Sequence, residues 1–233
     1  MDRQSNRRLF RDRIDAGGLL ANELTAYANR RDVLVLGLPR GGVPVAYEVA
    51  KSLGAPLDII LVRKLGVPGE QELAMGAIAS GGVRVLNEDV VRMLRVPNSV
   101  IESVTARERR ELDRRERLYR GDHPAPVLEG KTVILVDDGI ATGATVRAAI
   151  ALVRKQRPAA VVVATPVAPA STCAEMRSHV DALICVMEPV DFLAIGFWYE
   201  SFPQTTDEEI QSLLGNAWRD HPDAGRPAPE AGP

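Results

Sequence analysis

One stretch determines the fold class: Val133-Ile134-Leu135-Val136-Asp137-Asp138-Gly139-Ile140-Ala141-Thr142-Gly143-Ala144-Thr145. Its apolar start predicts a buried strand over residues 131–136. The acids, glycines and small residues predict a loop over 137–143, because they cannot continue a strand. The apolar spacing that follows predicts a helix over 144–156. A strand, a loop and a helix in this order form the first part of a βαβ unit.

The same order recurs on both sides of this stretch. Further strands are predicted at 33–36, 57–62, 160–165 and 182–186, and further helices at 14–30, 43–53 and 169–178. Glycines at 81 and 82, between apolar runs at 73–79 and 83–86, predict a hairpin. We therefore expect the α/β class, with an open parallel sheet flanked by helices and a ligand site at the carboxyl ends of the strands.

Composition narrows the class of protein further. The chain has 233 residues and a net charge of −2, so no overall positive field favours nucleic acid. No run of ~18 apolar residues predicts a membrane span. We expect a cytoplasmic protein with one domain over 1–218 and a disordered tail rich in Pro and Gly over 219–233. Cys173 and Cys185 lack metal-ligand spacing and are interpreted as small buried hydrophobes.

The central loop has the chemistry of a sugar-phosphate site. Glycines allow backbone amides to approach a ligand closely, and the start of a helix favours an anion. Thr142 and Thr145 add hydroxyl groups. Asp137 and Asp138 suit sugar hydroxyls or a hydrated divalent cation. The alternative interpretation is a solvated acid pair beside a tight turn. A Walker A loop and a dinucleotide-binding loop are both excluded, because their glycine and lysine spacings are missing.

The stretch resembles the signature of type I phosphoribosyltransferases, in which two acids follow an apolar strand and a Thr-Gly-x-Thr/Ser turn comes next. The matching residues are Asp137, Asp138, Thr142, Gly143 and Thr145. The resemblance extends over about residues 10–200 and implies the type I fold, with a small variable hood and a hairpin or flap. It also implies a cytoplasmic enzyme of nucleotide metabolism that uses 5-phosphoribosyl 1-pyrophosphate and Mg²⁺, with a homodimer as a further possibility.

The same resemblance assigns roles to the residues of the loop. Asp137 and Asp138 would hold the ribose hydroxyls and bind magnesium through water. The backbone amides of Ala141 to Thr145, which include those of Gly143 and Ala144, would hold the 5-phosphate together with the hydroxyls of Thr142 and Thr145. Gly139 would be a further substrate-binding residue of the loop. Members that act on 6-oxopurines carry an aspartate where this chain has Ala141. A methyl group cannot serve the base in that way, so a 6-oxopurine acceptor is disfavoured.

Two further segments are candidates for binding pyrophosphate. Arg40, Gly41 and Gly42 follow the first predicted strand and offer a guanidinium and backbone amides to an anion. The alternative is a plain turn with a solvated arginine. Arg63 and Lys64 end the second predicted strand, where two cations could neutralise the departing pyrophosphate. The alternative there is ordinary surface charge.

Three other features leave more than one interpretation open. Glu70 and Glu72 lie in a predicted flap, where either could act as a base or simply be solvated. Aromatic residues at 197–199 could stack on a base, or could pack in the core or in a dimer. The charged helix predicted at 98–120 has interleaved charges, which favours a solvated face or a dimer contact over a nucleic-acid surface.

The proposed chemistry is displacement at the anomeric carbon of the ribose, with Asp137, Asp138, Arg40 and Lys64 as the catalytic residues. Electrostatic stabilisation of the leaving pyrophosphate would provide most of the catalysis. The main alternative is a regulatory module that binds a ribose phosphate without turnover. A metal-dependent hydrolase is less favoured, because no histidine or further carboxylate lies near the acid pair in sequence. A partner module of a larger assembly is a third possibility.

Overall fold

The computed structural model describes residues 9–221, apart from the side chains of residues 70–73. In chain order, the elements are α1 (Arg13–Glu23), β1 (Val33–Gly37), α2 (Gly42–Leu53), β2 (Leu57–Ile59), β3 (Val62–Val67), β4 (Glu70–Ala79), β5 (Arg84–Leu86), α3 (Glu88–Met93), α4 (Asn98–Arg120), β6 (Thr132–Val136), α5 (Ala144–Arg154), β7 (Ala160–Val167), α6 (Ala170–Met176), β8 (Ala182–Met187) and α7 (Asp207–Asp220). Short 3₁₀ turns lie at Thr25–Tyr27, Ser80–Gly82 and Ile195–Trp198.

A five-stranded parallel sheet forms the centre of the fold, with the strand order β2-β1-β6-β7-β8. Val33 and Val35 of β1 face one apolar cluster, together with residues of α1, α2 and α7. Leu34 and Leu36 of the same strand face the other cluster, with residues of α5 and α6. Strands β1, β2 and β6 are buried throughout and β7 nearly so, as their apolar sequences predicted, whereas the edge strand β8 is half-buried. The predicted parallel α/β class is therefore confirmed.

A second, antiparallel sheet of three strands has the order β3-β4-β5. The predicted strand over 57–62 is wrong at its end, because β2 stops at Ile59 and Arg63 and Lys64 lie inside β3. The apolar run is continuous across this boundary, so periodicity could not show where the chain leaves one sheet for the other. The predicted hairpin is present, since β4 and β5 pair on either side of Gly81 and Gly82.

Helix α4 packs on the second sheet and is tied to the first by a buried ion pair. Arg120, in its last turn, donates to Asp58 of β2 at 2.7 Å, and both side chains are 3 % exposed. Burial raises the pKa of Asp58, although Arg120 opposes the shift. The predicted helix over 98–120 is confirmed, and its role is to fix the second sheet beside the carboxyl edge of the first.

The C-terminal part covers one end of the sheet. We call residues 188–206 the hood segment. It joins the start of the described chain through a bridge between Phe10 and Tyr199. Helix α7 follows the hood segment and was not predicted. It runs to Asp220, two residues past the predicted domain end, and residues 222–233 of the predicted tail lie outside the described residues. Within residues 9–221, no helix is long and apolar enough to cross a bilayer.

Candidate functional site

The loops that follow β1 and β6 touch each other at the carboxyl edge of the sheet. The two strands are neighbours, with Gly37 paired to Val136 at their ends. A Cβ atom on Gly41 would lie 1.9 Å from Oδ2 of Asp138, and a Cβ atom on Gly42 would lie 2.7 Å from the carbonyl oxygen of Val136. These two positions therefore need glycine, because any side chain would force the two loops apart. The Pro39–Arg40 peptide bond in the first loop is cis.

The loop before α5 contains a run of backbone amides without a protein acceptor. Gly143 precedes the helix with φ of +72°, a left-handed conformation that favours glycine. Among the described residues, the backbone amides from Ala141 to Val146 donate to no protein acceptor. Thr142 and Thr145 are exposed beside them. Free amides at a helix start, next to two hydroxyl groups, can bind a phosphate.

Helix α6 and the hood segment support this loop from behind. The Thr172 hydroxyl donates to the carbonyl oxygen of Ala141 at 2.9 Å. Gly143 packs against Met176, whose Cε atom would be 2.8 Å from a Cβ at that position. Gly139 packs in the same way against Ile195 of the hood segment, where the corresponding distance would be 2.5 Å. These contacts hold the loop backbone in place and leave its outer surface open.

The two acids of the loop have different surroundings. Asp138 is 8 % exposed, and its Oδ2 atom accepts a hydrogen bond from Nε of Arg13 at 2.8 Å. The Tyr199 hydroxyl donates to the backbone carbonyl of Asp138 at 2.5 Å. Burial raises the pKa of the Asp138 carboxyl, and the nearby guanidinium partly offsets this. Asp138 therefore also joins the loop to α1 and to the hood segment.

Asp137 has no basic partner of this kind among the described side chains. Its Oδ1 atom accepts from the backbone amide of Asp138 at 3.0 Å. Part of Asp137 reaches the surface, yet surrounding atoms remove much of the hydration of its carboxyl. This desolvation raises its pKa well above the ordinary value, and the charge of Asp138 raises it further. Adjacent carboxylates under such repulsion are stabilised by a cation, and their oxygen atoms suit Mg²⁺.

The three predicted cations differ in their partners. Arg40 is half-buried and Lys64 is exposed, and among the described side chains neither makes a hydrogen bond or a salt bridge. Arg63 instead donates two hydrogen bonds to Oε2 of Glu108 on α4, at 2.9 and 2.6 Å. Arg63 and Lys64 point to opposite faces of β3, because side chains alternate along a strand. Arg63 is therefore anchored to α4, which the sequence did not indicate.

A narrow cleft nevertheless brings the predicted segments together. Its wall includes Pro39 from the first loop, Arg63 from β3 and Thr145 from the start of α5. Lys64, on the other face of β3, does not line this cleft. Arg115 of α4 also lines it and pairs with Glu111 at 2.8 Å. The second sheet and α4 thus place basic groups beside the loop that precedes α5. Only the tertiary arrangement reveals Arg115 as a member of this group.

The sequence profile of the family described as "Phosphoribosyl transferase domain" matches residues 11–199. The chain belongs to this family. Two Mycobacterium tuberculosis proteins, each named a "Putative phosphoribosyl transferase", are 48 % identical to it over 219 residues. The match covers 94 % of this chain and 49 % of each relative, so the chain spans about half the length of those proteins.

A solved structure has a similar shape. The crystal structure of TT1426 from Thermus thermophilus superposes with a TM-score of 0.81 at 42 % sequence identity. The match covers 88 % of this chain and 97 % of that chain. The architecture is the type I phosphoribosyltransferase fold, as the loop signature predicted.

The aromatic residues at 197–199 differ in their burial. Trp198 and Tyr199 are each 5 % exposed and belong to a buried cluster, whereas Phe197 is 63 % exposed. Core packing is therefore the role of two of the three aromatics. Glu70 and Glu72 lie where the side chains are not described, so their predicted flap role stays a prediction.

Several residues that support the candidate site have no signal in the sequence. Arg13 and Asp138 are 125 positions apart, and no local pattern links them. The only signal near Arg13 is Asp12, which caps α1 by accepting from the amide of Asp15 at 2.8 Å. Thr172 and Ile195 carry no motif either, and only their packing against the loop reveals them.

Proposed function

We propose that this family member transfers phosphoribose from 5-phosphoribosyl 1-pyrophosphate to a nitrogen acceptor and releases pyrophosphate. The observation that carries the proposal is the row of free amides from Ala141 to Val146, beside two exposed hydroxyls and the acid pair. Such an arrangement has complementary groups for the phosphate and for the hydroxyls of one sugar phosphate. The fold of the family supports the same assignment.

The residues of the loop would divide the donor between them. The amides of Ala141 to Thr145, with the Thr142 and Thr145 hydroxyls, would hold the 5-phosphate. Asp137 would accept hydrogen bonds from the ribose hydroxyls. Asp138 would take part in holding the same hydroxyls while its carboxylate remains paired with Arg13. The rigid support of this loop would place the anomeric carbon at a defined position, which is the main contribution that positioning makes to such a reaction.

The leaving pyrophosphate would lie near the loop after β1. The amide of Gly41 and the Arg40 guanidinium have no protein acceptor among the described residues, whereas the Gly42 amide donates to the carbonyl oxygen of Leu38 at 3.0 Å and is not free to bind an anion. We propose Lys64 of β3 as a second cation for the pyrophosphate. Arg63 would contribute mainly by holding β3 against α4. A magnesium ion, when bound near Asp137 and Asp138 through water, would neutralise charge on the pyrophosphate. Arg40 and Lys64 would stabilise the remaining charge as the bond to the anomeric carbon breaks.

The acceptor would enter from the side of the hood segment. Ile195 of this segment touches Gly139, and the nearby side chains of Leu193 and Phe197 are 84 % and 63 % exposed. An exposed aromatic ring close to the loop can stack on a planar base. Ala141 offers no carboxylate to the acceptor, so we propose an acceptor other than a 6-oxopurine.

A second candidate function is binding of a ribose phosphate without turnover. The observation that favours it is the involvement of Asp138 and Arg63 in protein contacts, with Arg13 and Glu108. Exchange of labelled pyrophosphate into the ribosyl donor, measured with each candidate acceptor present, separates the two functions. The label enters the donor only when the acceptor displaces pyrophosphate at the anomeric carbon and the reaction then reverses, which a module that only binds cannot do.

The decisive experiment screens nucleobases and small amines with the donor and Mg²⁺, and measures pyrophosphate release. Asp137→Asn combined with Asp138→Asn should abolish donor binding in calorimetry, because the ribose hydroxyls and the cation lose both carboxylates. Asp122→Asn is a control, since Asp122 is an exposed acid in the turn after α4. Donor affinity equal to wild type in the double variant would refute the site.

A further inference from the structure

Both cysteines of the chain lie next to the same carboxylate. Cys173 is on α6 and Cys185 is on β8, and Glu188 follows that strand. The two Sγ atoms and a carboxylate oxygen of Glu188 all lie within 4.8 Å of one another. The spacing in sequence did not predict this cluster, because the fold brings the helix and the edge strand together. The prediction that both cysteines are merely small hydrophobes is therefore incomplete.

The surroundings of the cluster are polar on one side and buried on the other. Cys173 is 1 % exposed, and its thiol lies 3.9 Å from the carbonyl oxygen of Ala168. The Cys185 thiol donates to the carbonyl of Met187 at 3.0 Å. Glu188 pairs with Arg177 and keeps 29 % of its side chain exposed. One side of the cluster is therefore open to an ion arriving from solvent.

We propose that Cys173, Cys185 and Glu188 form a binding site for a divalent cation of the zinc class. Two thiolates and one carboxylate are a ligand set that Zn²⁺ accepts, with water in the fourth position. Metal–sulfur bonds of about 2.3 Å in a tetrahedron place neighbouring ligand atoms about 3.5–4 Å apart. The three side chains would therefore need to close by only about 1 Å.

Charge balance supports a cation at this position. The two thiolates and the carboxylate would carry three negative charges, and Arg177 already offsets one of them. A divalent cation offsets the other two. A disulfide is the competing product of two adjacent thiols. It would bring the sulfur atoms to about 2.05 Å and would leave Glu188 without a part in the site. The carboxylate beside both sulfur atoms therefore favours the metal.

The site also lies directly behind the loop that precedes α5. Thr172 and Met176 flank Cys173 on α6, and they contact Ala141 and Gly143 of that loop. A cation that ties α6 to β8 would therefore hold the support of the loop in place. This site is separate from the acid pair, and its existence does not depend on the proposed transferase activity.

The test titrates Co²⁺ into the reduced, metal-free full chain and follows absorption. We expect a thiolate-to-cobalt charge-transfer band that saturates at one equivalent and disappears when Zn²⁺ is added. Cobalt bound at Asp137 and Asp138 would produce no such band, because carboxylate ligands provide no thiolate sulfur. Wild-type protein that remains folded and shows no charge-transfer band would overturn the proposal.

Variants assign the ligands. Cys185→Ser should remove the band, and Glu188→Gln should weaken Co²⁺ binding by at least about tenfold. Glu175→Gln is the matched control, because Glu175 is also on α6 and pairs with Arg147, away from the two thiols. Circular dichroism establishes that each variant is folded, and protection of the thiols from alkylation by Zn²⁺ gives a second readout. A band that persists in folded Cys185→Ser, or a wild-type mass lower by two hydrogens without bound metal, would contradict the assignment.

Discussion

In each of two pairs of adjacent charged residues that the sequence assigns to the candidate site, one member has a charged protein partner and the other has none among the described residues. In the pair Asp137 and Asp138, only the second carboxylate is tied to a guanidinium, that of Arg13. In the pair Arg63 and Lys64, only the first side chain is tied to a carboxylate, that of Glu108. Each pair thus combines one residue that joins structural elements with one residue that has no charged protein partner among the described side chains.

Residues with a charged protein partner should contribute mainly to the stability of the fold, and residues without one mainly to ligand binding. A buried charge that loses its partner destabilises the fold, because its desolvation is no longer compensated. A charge without a protein partner has no such role, and it can respond to a ligand. Residues that a motif treats as equivalent should therefore respond differently to substitution. The following predictions test that separation, from the largest expected effect to the smallest.

Arg13→Ala should have the largest effect on stability. Both side chains of its ion pair with Asp138 are 11 % exposed, so removal of the guanidinium leaves a buried carboxylate without compensation. We expect the free energy of unfolding to fall by about 3 kcal/mol in urea denaturation. Arg11→Ala is the control, because the Arg11 side chain is 75 % exposed in its pair with Asp15. Equal losses of unfolding free energy in the two variants would remove the distinction between buried and surface ion pairs.

Gly41→Ala should disturb the contact between the two loops. The added Cβ would overlap with Asp138, so one of the loops must move, at a cost of about 1–3 kcal/mol in stability. We also expect loss of measurable donor binding in calorimetry, because the acid pair would shift. Gly18→Ala is the control, since a Cβ there meets nothing within 4 Å. Unchanged donor affinity in Gly41→Ala would show that the loop contact is not needed for binding.

Lys64→Met should mainly weaken pyrophosphate binding, whereas Arg63→Met should mainly lower the free energy of unfolding. The first should weaken pyrophosphate binding by about tenfold, or about 1.4 kcal/mol, and leave unfolding unchanged. The second should lower stability by about 1 kcal/mol with a smaller effect on pyrophosphate, because Glu108 loses its partner on β3. Calorimetry with pyrophosphate and Mg²⁺, together with urea denaturation, measures both quantities. A loss of stability in Lys64→Met together with a loss of pyrophosphate binding in Arg63→Met would contradict the distinction between the two residues.

Asp32 should show the smallest effect, as a paired carboxylate at the surface. The hydrogen bond from Arg30 is the main cause that lowers the pKa of Asp32 to about 2, and Thr132 adds to it. A depressed folded pKa stabilises the protein above the ordinary value near 4, and this contribution is lost as pH falls toward 2. As the pH falls over this range, the midpoint temperature of thermal unfolding should therefore decrease slightly more for the wild type than for Asp32→Asn. A steeper decline in the variant would give the wrong sign.

The sequence determined the local parts of this phosphoribosyl transferase family member. The strand, the acid pair, the glycine loop and the helix start at 132–145 lie together in the chain, so periodicity and turn chemistry were sufficient to predict them. The same reasoning misplaced the end of the second strand, because a continuous apolar run does not show which sheet a strand joins.

Tertiary structure alone decided the partners of the charged and sulfur-containing side chains. The pairs Arg13 with Asp138 and Arg63 with Glu108 depend on which helices pack beside the sheet, and such long-range neighbours leave no periodic trace in the sequence. The meeting of Cys173 with Cys185 has the same origin. The chain sequence thus indicated most of the candidate site groups, and the packing of distant elements determined which of those groups already have a protein partner.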